Sequence, residues 1–297
     1  MTGAGTAISR APMRDAVAPL LAHAGEPGSF GEDAALAYRP DCRTVAVATF
    51  RDVFLAVAGG AANGGPDGGV VPIENVSQGT VRDVYDLLLE HRLVIVGEAE
   101  VPVRLCLAAL PGQALDQIER VYSHVQALAQ AEPFLRRGGW TLLATATTAS
   151  AGADLVRRGE TGAAAVLSPR AARLHGLEVL AADIQDGLRN RTRFLVLARE
   201  AAPAWVSTAG ARLRTTLAFG VANEPGTLLR VLSVFAAHGL NMSKLESRPS
   251  RERDWEYVFL ADLDADLCAA QSQPILEELR AVTASLRLMG CYPVERA

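Results

Sequence analysis

Between about residue 17 and residue 200 one pattern repeats: a short apolar run, a turn rich in Gly, Ser, Thr or Pro, then a stretch with helical spacing. Strands that alternate with helices in this way are expected to pair in parallel, as in open α/β folds. The first unit is the run 17–24, the Gly25–Phe30 turn and a helix over Glu32–Tyr38. Strand Thr44–Ala48, helix Arg51–Ala58, the glycine-rich loop 59–69, strand Val70–Ile73 and helix Arg82–Glu90 follow. A second series runs through Val101–Leu110, Val121–Ser123, a helix over Gln126–Arg137, Leu142–Ala146, a helix ending at Arg158, and Ala163–Leu167. The first dozen residues read as a loose tail.

The polar residues collect at the ends of these strands, where an α/β protein can hold a ligand between a rigid strand and an open loop. Glu74 and Asn75 follow Ile73, and Ser77, Gly79 and Thr80 lead into the next helix. Ser123 and His124 end another strand, with Gln126 and Gln130 on the helix behind, and Thr147 and Thr148 end a third. Asn190-Arg191-Thr192-Arg193-Phe194 places an amide, a hydroxyl, a cation and an aromatic ring at the mouth of the apolar run Phe194–Leu197. Each cluster has a plainer reading. Ser and Thr before a helix can be simple caps, Thr and Arg before a strand can be edge residues, and His124 has no acidic partner nearby in sequence. The other histidines, His23, His91, His175 and His238, read as surface or core-edge residues.

After residue 200 the pattern changes. Ala201–Gly210 reads as a linker. Beyond it come strand Leu213–Val221, helix Thr227–His238, strand Asn241–Glu246, a polar loop over 248–254, strand 255–263, helix Pro274–Ala284 and strand Leu286–Tyr292. That order, βαββαβ, is a ferredoxin-like module.

With 297 residues, 49% hydrophobic and 21% charged, the chain is long enough for two globular domains. A net charge of −4 argues against a nucleic-acid surface while leaving room for a local anion pocket. No apolar run reaches the roughly 18 residues that span a bilayer, and the N-terminal segment is a poor signal peptide. Cys42, Cys106, Cys268 and Cys291 lie far apart in sequence, so neither zinc nor a disulfide framework is expected, and free thiols suggest a reducing, cytoplasmic setting.

Several of these stretches, in order, resemble the prephenate dehydratases that carry a C-terminal ACT regulatory domain. Gly69–Asn75 with Ser77 and Gly79 is similar to the Pro-Ile-Glu-Asn signature of that family, and Ser123-His124 with Gln126 and Gln130 to its Ser-His-Pro-Gln helix start. Thr147-Thr148-Ala149 resembles its Ser-Thr-Ala turn and Asn190–Phe194 its Asn-x-Thr-Arg-Phe motif. Asn223–Leu228 resembles its effector loop, and Glu246-Ser247-Arg248-Pro249 is its Glu-Ser-Arg-Pro unchanged. Departures stand at Arg104, Val125, Ala131 and Thr227, the last placing a hydroxyl in the effector loop.

The resemblance implies a two-lobed, periplasmic-binding-protein-like α/β catalytic domain over about 15–200, followed by a ferredoxin-like ACT domain over 211–295. Lobe one would comprise about 15–98 and 181–200, lobe two about 99–180. The implied reaction removes water and carbon dioxide from prephenate to give phenylpyruvate, with no cofactor and no metal. Thr192 is implied to assist the departing hydroxide, Arg193 to hold a carboxylate, and Phe194 with Phe30 to form an apolar wall. Glu74, Asn75, Ser123, Gln126, Gln130, Thr147 and Thr148 complete the implied site. Arg193 has a rival reading as a lobe-to-lobe salt bridge. Phenylalanine is the implied effector, bound by Asn223, Gly226, Thr227, Leu228, Asn241, Glu246 and Ser247 at the interface of a homodimer or homotetramer. An arogenate dehydratase, a non-aromatising prephenate decarboxylase and a non-catalytic amino-acid sensor share the architecture. The retained Thr192 argues against the decarboxylase.

Overall fold

A computed structural model describes residues 18–60, 64–187, 190–201, 203–208, 210–249 and 257–294. The N-terminal tail and most of the 248–254 loop expected from sequence lie outside these residues, as does part of the 59–69 loop.

Lobe one is built on a mixed sheet of order β2-β1-β3-β11-β5: β2 Arg43–Val47, β1 Leu20–Ala24, β3 Gly68–Asn75, β11 Arg191–Ala198 and β5 Val94–Pro102. The short β4, Gly79–Thr80, turns back against β3. Helices α1 Phe30–Tyr38, α2 Phe50–Gly59 and α3 Arg82–Glu90 cover the sheet. Lobe two has the order β10-β6-β9-β7-β8: β10 Glu178–Ala181, β6 Cys106–Ala109, β9 Ala163–Leu167, β7 Arg120–Ser123 and β8 Thr141–Ala144. Its helices are α4 Val125–Gln130, α5 Glu132–Gly138, α6 Thr148–Arg158 and α7 Pro169–Leu174.

Three expectations need correction. Parallel pairing throughout fails in both lobes: β11 runs antiparallel to β3 and β5, because the strand returning from lobe two must oppose the strands that point toward it, and in lobe two β6 runs antiparallel to both β9 and β10. The single strand expected over 101–110 is two: β5 ends at Pro102 and β6 begins at Cys106, so the crossing expected near Glu98 falls after Pro102. The helix expected over 126–137 breaks at Ala131, where Pro133 starts a new one and removes a backbone donor.

The third sheet, β13-β14-β12-β15, contains β12 Arg212–Val221, β13 Met242–Pro249, β14 Tyr257–Leu263 and β15 Ser285–Val294. Helices α8 Thr227–Ala237 and α9 Gln273–Val282 cover one face. The other face lies on lobe one, where Ala218, Leu260, Met289 and Tyr292 share a core with Val84, Leu87, Leu88 and Ile95. A Cβ at Gly290 would meet the Ile95 carbonyl oxygen, so this close approach of β15 to β5 depends on glycine. The segment expected to be a plain linker is docked as well: Trp205 meets Tyr38 edge to face, and its carbonyl accepts from Arg39.

Candidate active site

The register of β11 on β3 sets Thr192 opposite Asn75 and Arg193 opposite Glu74. Neighbouring strand residues point to opposite faces, so the first pair enters the cleft between the lobes and the second turns toward the third sheet. Asn75 Nδ2 donates to Thr192 Oγ1 at 2.9 Å, to Asn190 Oδ1 at 2.8 Å and to the Arg191 carbonyl at 3.1 Å. Its Oδ1 accepts the backbone N–H groups of Ser77 and Gln78, both at 2.9 Å. Asn75 and Thr192 are both buried. With its oxygen accepting from Asn75, the Thr192 hydroxyl keeps its own hydrogen for a group in the cleft. The chain of backbone N–H, amide and hydroxyl polarises that hydrogen cooperatively, which gives a weak acid the support its sequence neighbours do not reveal.

The cleft, about 470 Å³, is lined by Ser29, Phe30, Thr49, Phe50, Asn75, Val81, His124, Gln126, Thr147, Thr148, Thr192 and Phe194 among others. Helices α1, α2, α4, α6 and α7 begin at it. Ser29, Thr49 and Thr147 are the N-caps of α1, α2 and α6, and each side chain accepts the backbone N–H of the third helical residue. The first two N–H groups of each of these three therefore remain for a ligand, and the positive ends of their dipoles meet in one cavity. Phe30, Phe50, Val70, Pro72, Val81 and Phe194 make the apolar part of the wall.

Thr192, Phe194, Asn75, Gln126, Thr147, Thr148 and the wall residue Phe30 are thus brought together. Four expected site residues are not. Ser123 is fully buried, its hydroxyl spent on the Val166 carbonyl at 2.6 Å, where it ties β7 to β9. Gln130 does not line the cleft; its carbonyl accepts Asp186 N–H in the crossing back to lobe one. Arg193 and Glu74 sit behind the sheet. Arg193 contacts Glu74 at 2.9 Å, Glu98 at 3.2 Å and, across the domain boundary, Asp262 at 2.7 Å, and Glu74 also pairs with Lys244. Arg193 forms salt bridges, but the one across a domain boundary joins lobe one to the third sheet and not one lobe to the other. The reason is the strand's alternation, which cannot turn Thr192 and Arg193 to the same side.

Sequence reasoning passed over Thr49 and Phe50, although Thr49-x-x-Asp52 is a capping-box pattern that marks a helix start. It also set aside His124, which lines the cleft, and placed His23 at a surface or core edge. His23 is 1% exposed and bonds Ser29 Oγ at 3.2 Å beneath the cleft floor. Burial lowers its pKa despite nearby Glu32, which favours the neutral ring.

A polar clasp ties the lobes together. Arg170 of α7 reaches Glu32 at 2.7 Å and Asp33 at 3.1 Å on α1, and Ser168 Oγ donates to the Gly28 carbonyl. Gly28 has φ +89°, and a Cβ there would lie 3.0 Å from Ala171 Cα, so a larger residue would hold the lobes apart. Burial alone would raise the Glu32 carboxyl, but Arg170, the Gly28 N–H and the Thr44 hydroxyl hold it down at about 2.

The expected effector residues separate. Asn223, Gly226, Thr227 and Leu228 line a second cavity of about 270 Å³ with Tyr257 and Phe259. The added Thr227 hydroxyl staples the loop, bonding the Ala222 and Glu224 carbonyls at 2.8 and 2.9 Å. Asn241 lies at the other end of the sheet, where it donates to Asp264. Along β13, Lys244, Glu246 and Arg248 alternate onto lobe one, meeting Glu74, Thr80 and Asp86, while Ser247 is exposed on the other face.

Comparison with known proteins follows the same division. The prephenate dehydratase model matches residues 21–202, and the ACT domain model matches residues 215–283. Arogenate dehydratase/prephenate dehydratase 1, chloroplastic, of Arabidopsis thaliana is 36% identical over 285 residues, covering 91% of this chain and 71% of its own. Among solved structures, the quorum quenching acylase GqqA aligns with a TM-score of 0.82 at 32% identity, over 93% of this chain and 98% of its own. A prephenate dehydratase from Arthrobacter aurescens in complex with L-Phe gives 0.81 at 28% identity, over 94% and 93%. The cytoplasmic setting expected from the free thiols is overturned by these relatives, since the Arabidopsis protein and others like it are chloroplastic. Reduced cysteines do not distinguish one reducing compartment from another.

Proposed function

The chain belongs to the prephenate dehydratase family and is a decarboxylating dehydratase with a C-terminal ACT domain, and we propose that it acts on prephenate to give phenylpyruvate. The observation that carries this reading is the Thr192 hydroxyl, buried at the cleft and polarised through Asn75. As the ring C–O bond stretches, Thr192 donates its hydrogen to the departing oxygen. The C–C bond to the ring carboxylate breaks in the same aromatisation, and its electron pair enters the ring. Carbon dioxide leaves, the departing oxygen becomes water with the hydrogen from Thr192, and one proton from solvent restores the Thr192 hydroxyl. The leaving carboxylate loses charge in the transition state, so the apolar wall of Phe30, Phe50 and Phe194 suits it better than a tight ion pair would. The carboxylate that stays is held by helix N-termini, a role first expected of Arg193.

Relatives named as arogenate dehydratases support a second reading, the same elimination on the amino analogue. Against it, no Asp or Glu lines the cleft among the described residues, so an ammonium group has no carboxylate partner there. The purified protein is supplied with prephenate and arogenate in turn, and phenylpyruvate and phenylalanine are quantified. A higher kcat/KM with arogenate would overturn the substrate assignment, and no turnover of either would favour a sensor. Thr192→Ala should lower kcat by about two to four decades. Wild-type turnover in that variant would remove Thr192 from the mechanism.

Phenylalanine binds at the ACT domain in this reading. Tyr257 and Phe259 give the second cavity an aromatic side, and Thr227 rigidifies its loop. A site using both that loop and Asn241 needs a second chain, since the two lie at opposite ends of one sheet. The effector reading fails if phenylalanine changes neither activity nor melting temperature.

A further inference from the structure

Sequence spacing gave no reason to pair the cysteines, yet strand register brings two of them together. Cys291 on β15 lies opposite Thr215 of β12, and Thr215 lies opposite Leu263 at the end of β14. The loop that leaves β14 folds over Thr215, whose hydroxyl donates to the Ala265 carbonyl at 2.6 Å and accepts Leu267 N–H at 3.0 Å. Asp266 Oδ1 then accepts the N–H groups of Cys268 and Ala269, at 3.0 and 3.1 Å. The result is a carboxylate and two thiols whose donor atoms all lie within 4.8 Å of one another.

We infer that Asp266, Cys268 and Cys291 form a binding site for a soft divalent cation of the zinc type. A tetrahedral ion with Zn–S of about 2.3 Å and Zn–O of about 2.1 Å needs donors roughly 3.5 to 3.8 Å apart, not far inside the 4.8 Å within which these three already lie. Thiolate donors select zinc and its heavier relatives over magnesium or calcium. Cys291 is anchored from within the sheet by Thr215 Oγ1, 2.9 Å from its sulfur, while Cys268 is exposed. That combination supplies one fixed ligand, one accessible ligand and room for a water in the fourth position. Binding releases the thiol protons to solvent.

Reduced full-length protein titrated with Cd2+ tests this, read by the ultraviolet thiolate-to-metal charge-transfer band and by the number of thiols left reactive. One ion per chain should bind, two thiols should become protected, and Zn2+ should displace the band. Cys268→Ser and Cys291→Ser should each abolish the band while leaving the circular dichroism spectrum unchanged. Asp266→Asn should keep the band and weaken binding at least about tenfold. A band retained in Cys268→Ser, or no band at all, overturns the site. So does closure of a Cys268–Cys291 disulfide by oxidised glutathione in a protein whose reduced form takes up no ion, which would make the pair a redox dithiol.

Discussion

Replacing Arg193 by Met separates a substrate-binding arginine from a domain strut. Its guanidinium is surrounded by three carboxylates, and the side chains of Arg193, Glu98 and Asp262 are about 90% or more buried. Losing the cation leaves Glu98 and Asp262 as buried charges without their main partner, although Arg214 at 3.0 Å still holds part of the Glu98 charge. Breaking a buried pair on one side costs about 3–5 kcal/mol, and the surviving Arg214 contact puts the expectation at the lower end, about 3 kcal/mol. Asp262→Asn removes one of the stranded charges, so the double variant should recover about 1–2 kcal/mol of that loss. Thermal unfolding of the wild type, both single variants and the double variant measures the coupling, with steady-state kinetics alongside. A strut lowers the melting temperature and couples to Asp262, which lies in the other domain. If Arg193→Met melts like the wild type, shows no coupling to Asp262 and only raises KM, Arg193 holds substrate and the placement argued from strand alternation is wrong.

Asn75→Ala should cost about 1–3 kcal/mol in stability by leaving Asn190 and Thr192 without their shared donor. The same variant should lower kcat by about a hundredfold, the scale of losing one preorganised donor, so unfolding midpoint and turnover are measured together. Gly28→Ala forces a left-handed backbone position on alanine and sets its Cβ against Ala171, so kcat/KM should fall about tenfold as closure is impeded. Unchanged kinetics in that variant would mean that the lobes need not close this far. For Glu32 the folded pKa of about 2 lies below its ordinary 4.5, so its contribution is full above pH 4.5 and is lost as pH falls toward 2. The melting temperature of the wild type should therefore drop more steeply across that window than that of Glu32→Gln.

Local pattern carried the element types well, because helical spacing, caps and β-branched runs act over a few residues. Helix Arg82–Glu90 and strand Ala163–Leu167 have the bounds read from sequence. Strand ends marked the cleft for the same reason: Asn75, Thr147 and Thr192 each end or begin an apolar run, and all three line the cavity. The errors arose where a residue's role depends on what lies across a sheet. Ser123 looked like Thr147, but its side chain faces Val166 inside lobe two.

By itself the sequence determined two α/β series, a ferredoxin-like module after residue 210 and a family signature, since periodicity and short motifs survive without a partner. Only tertiary structure decided direction. One residue of shift along β11 separates a hydroxyl aimed into the cleft from a cation buried against the ACT domain, and two thiols 23 residues apart meet because β15, β12 and β14 share a register. A sheet has two faces, and which face a side chain takes is set by strand pairing and by the domain that covers it, neither of which is written in the neighbouring residues.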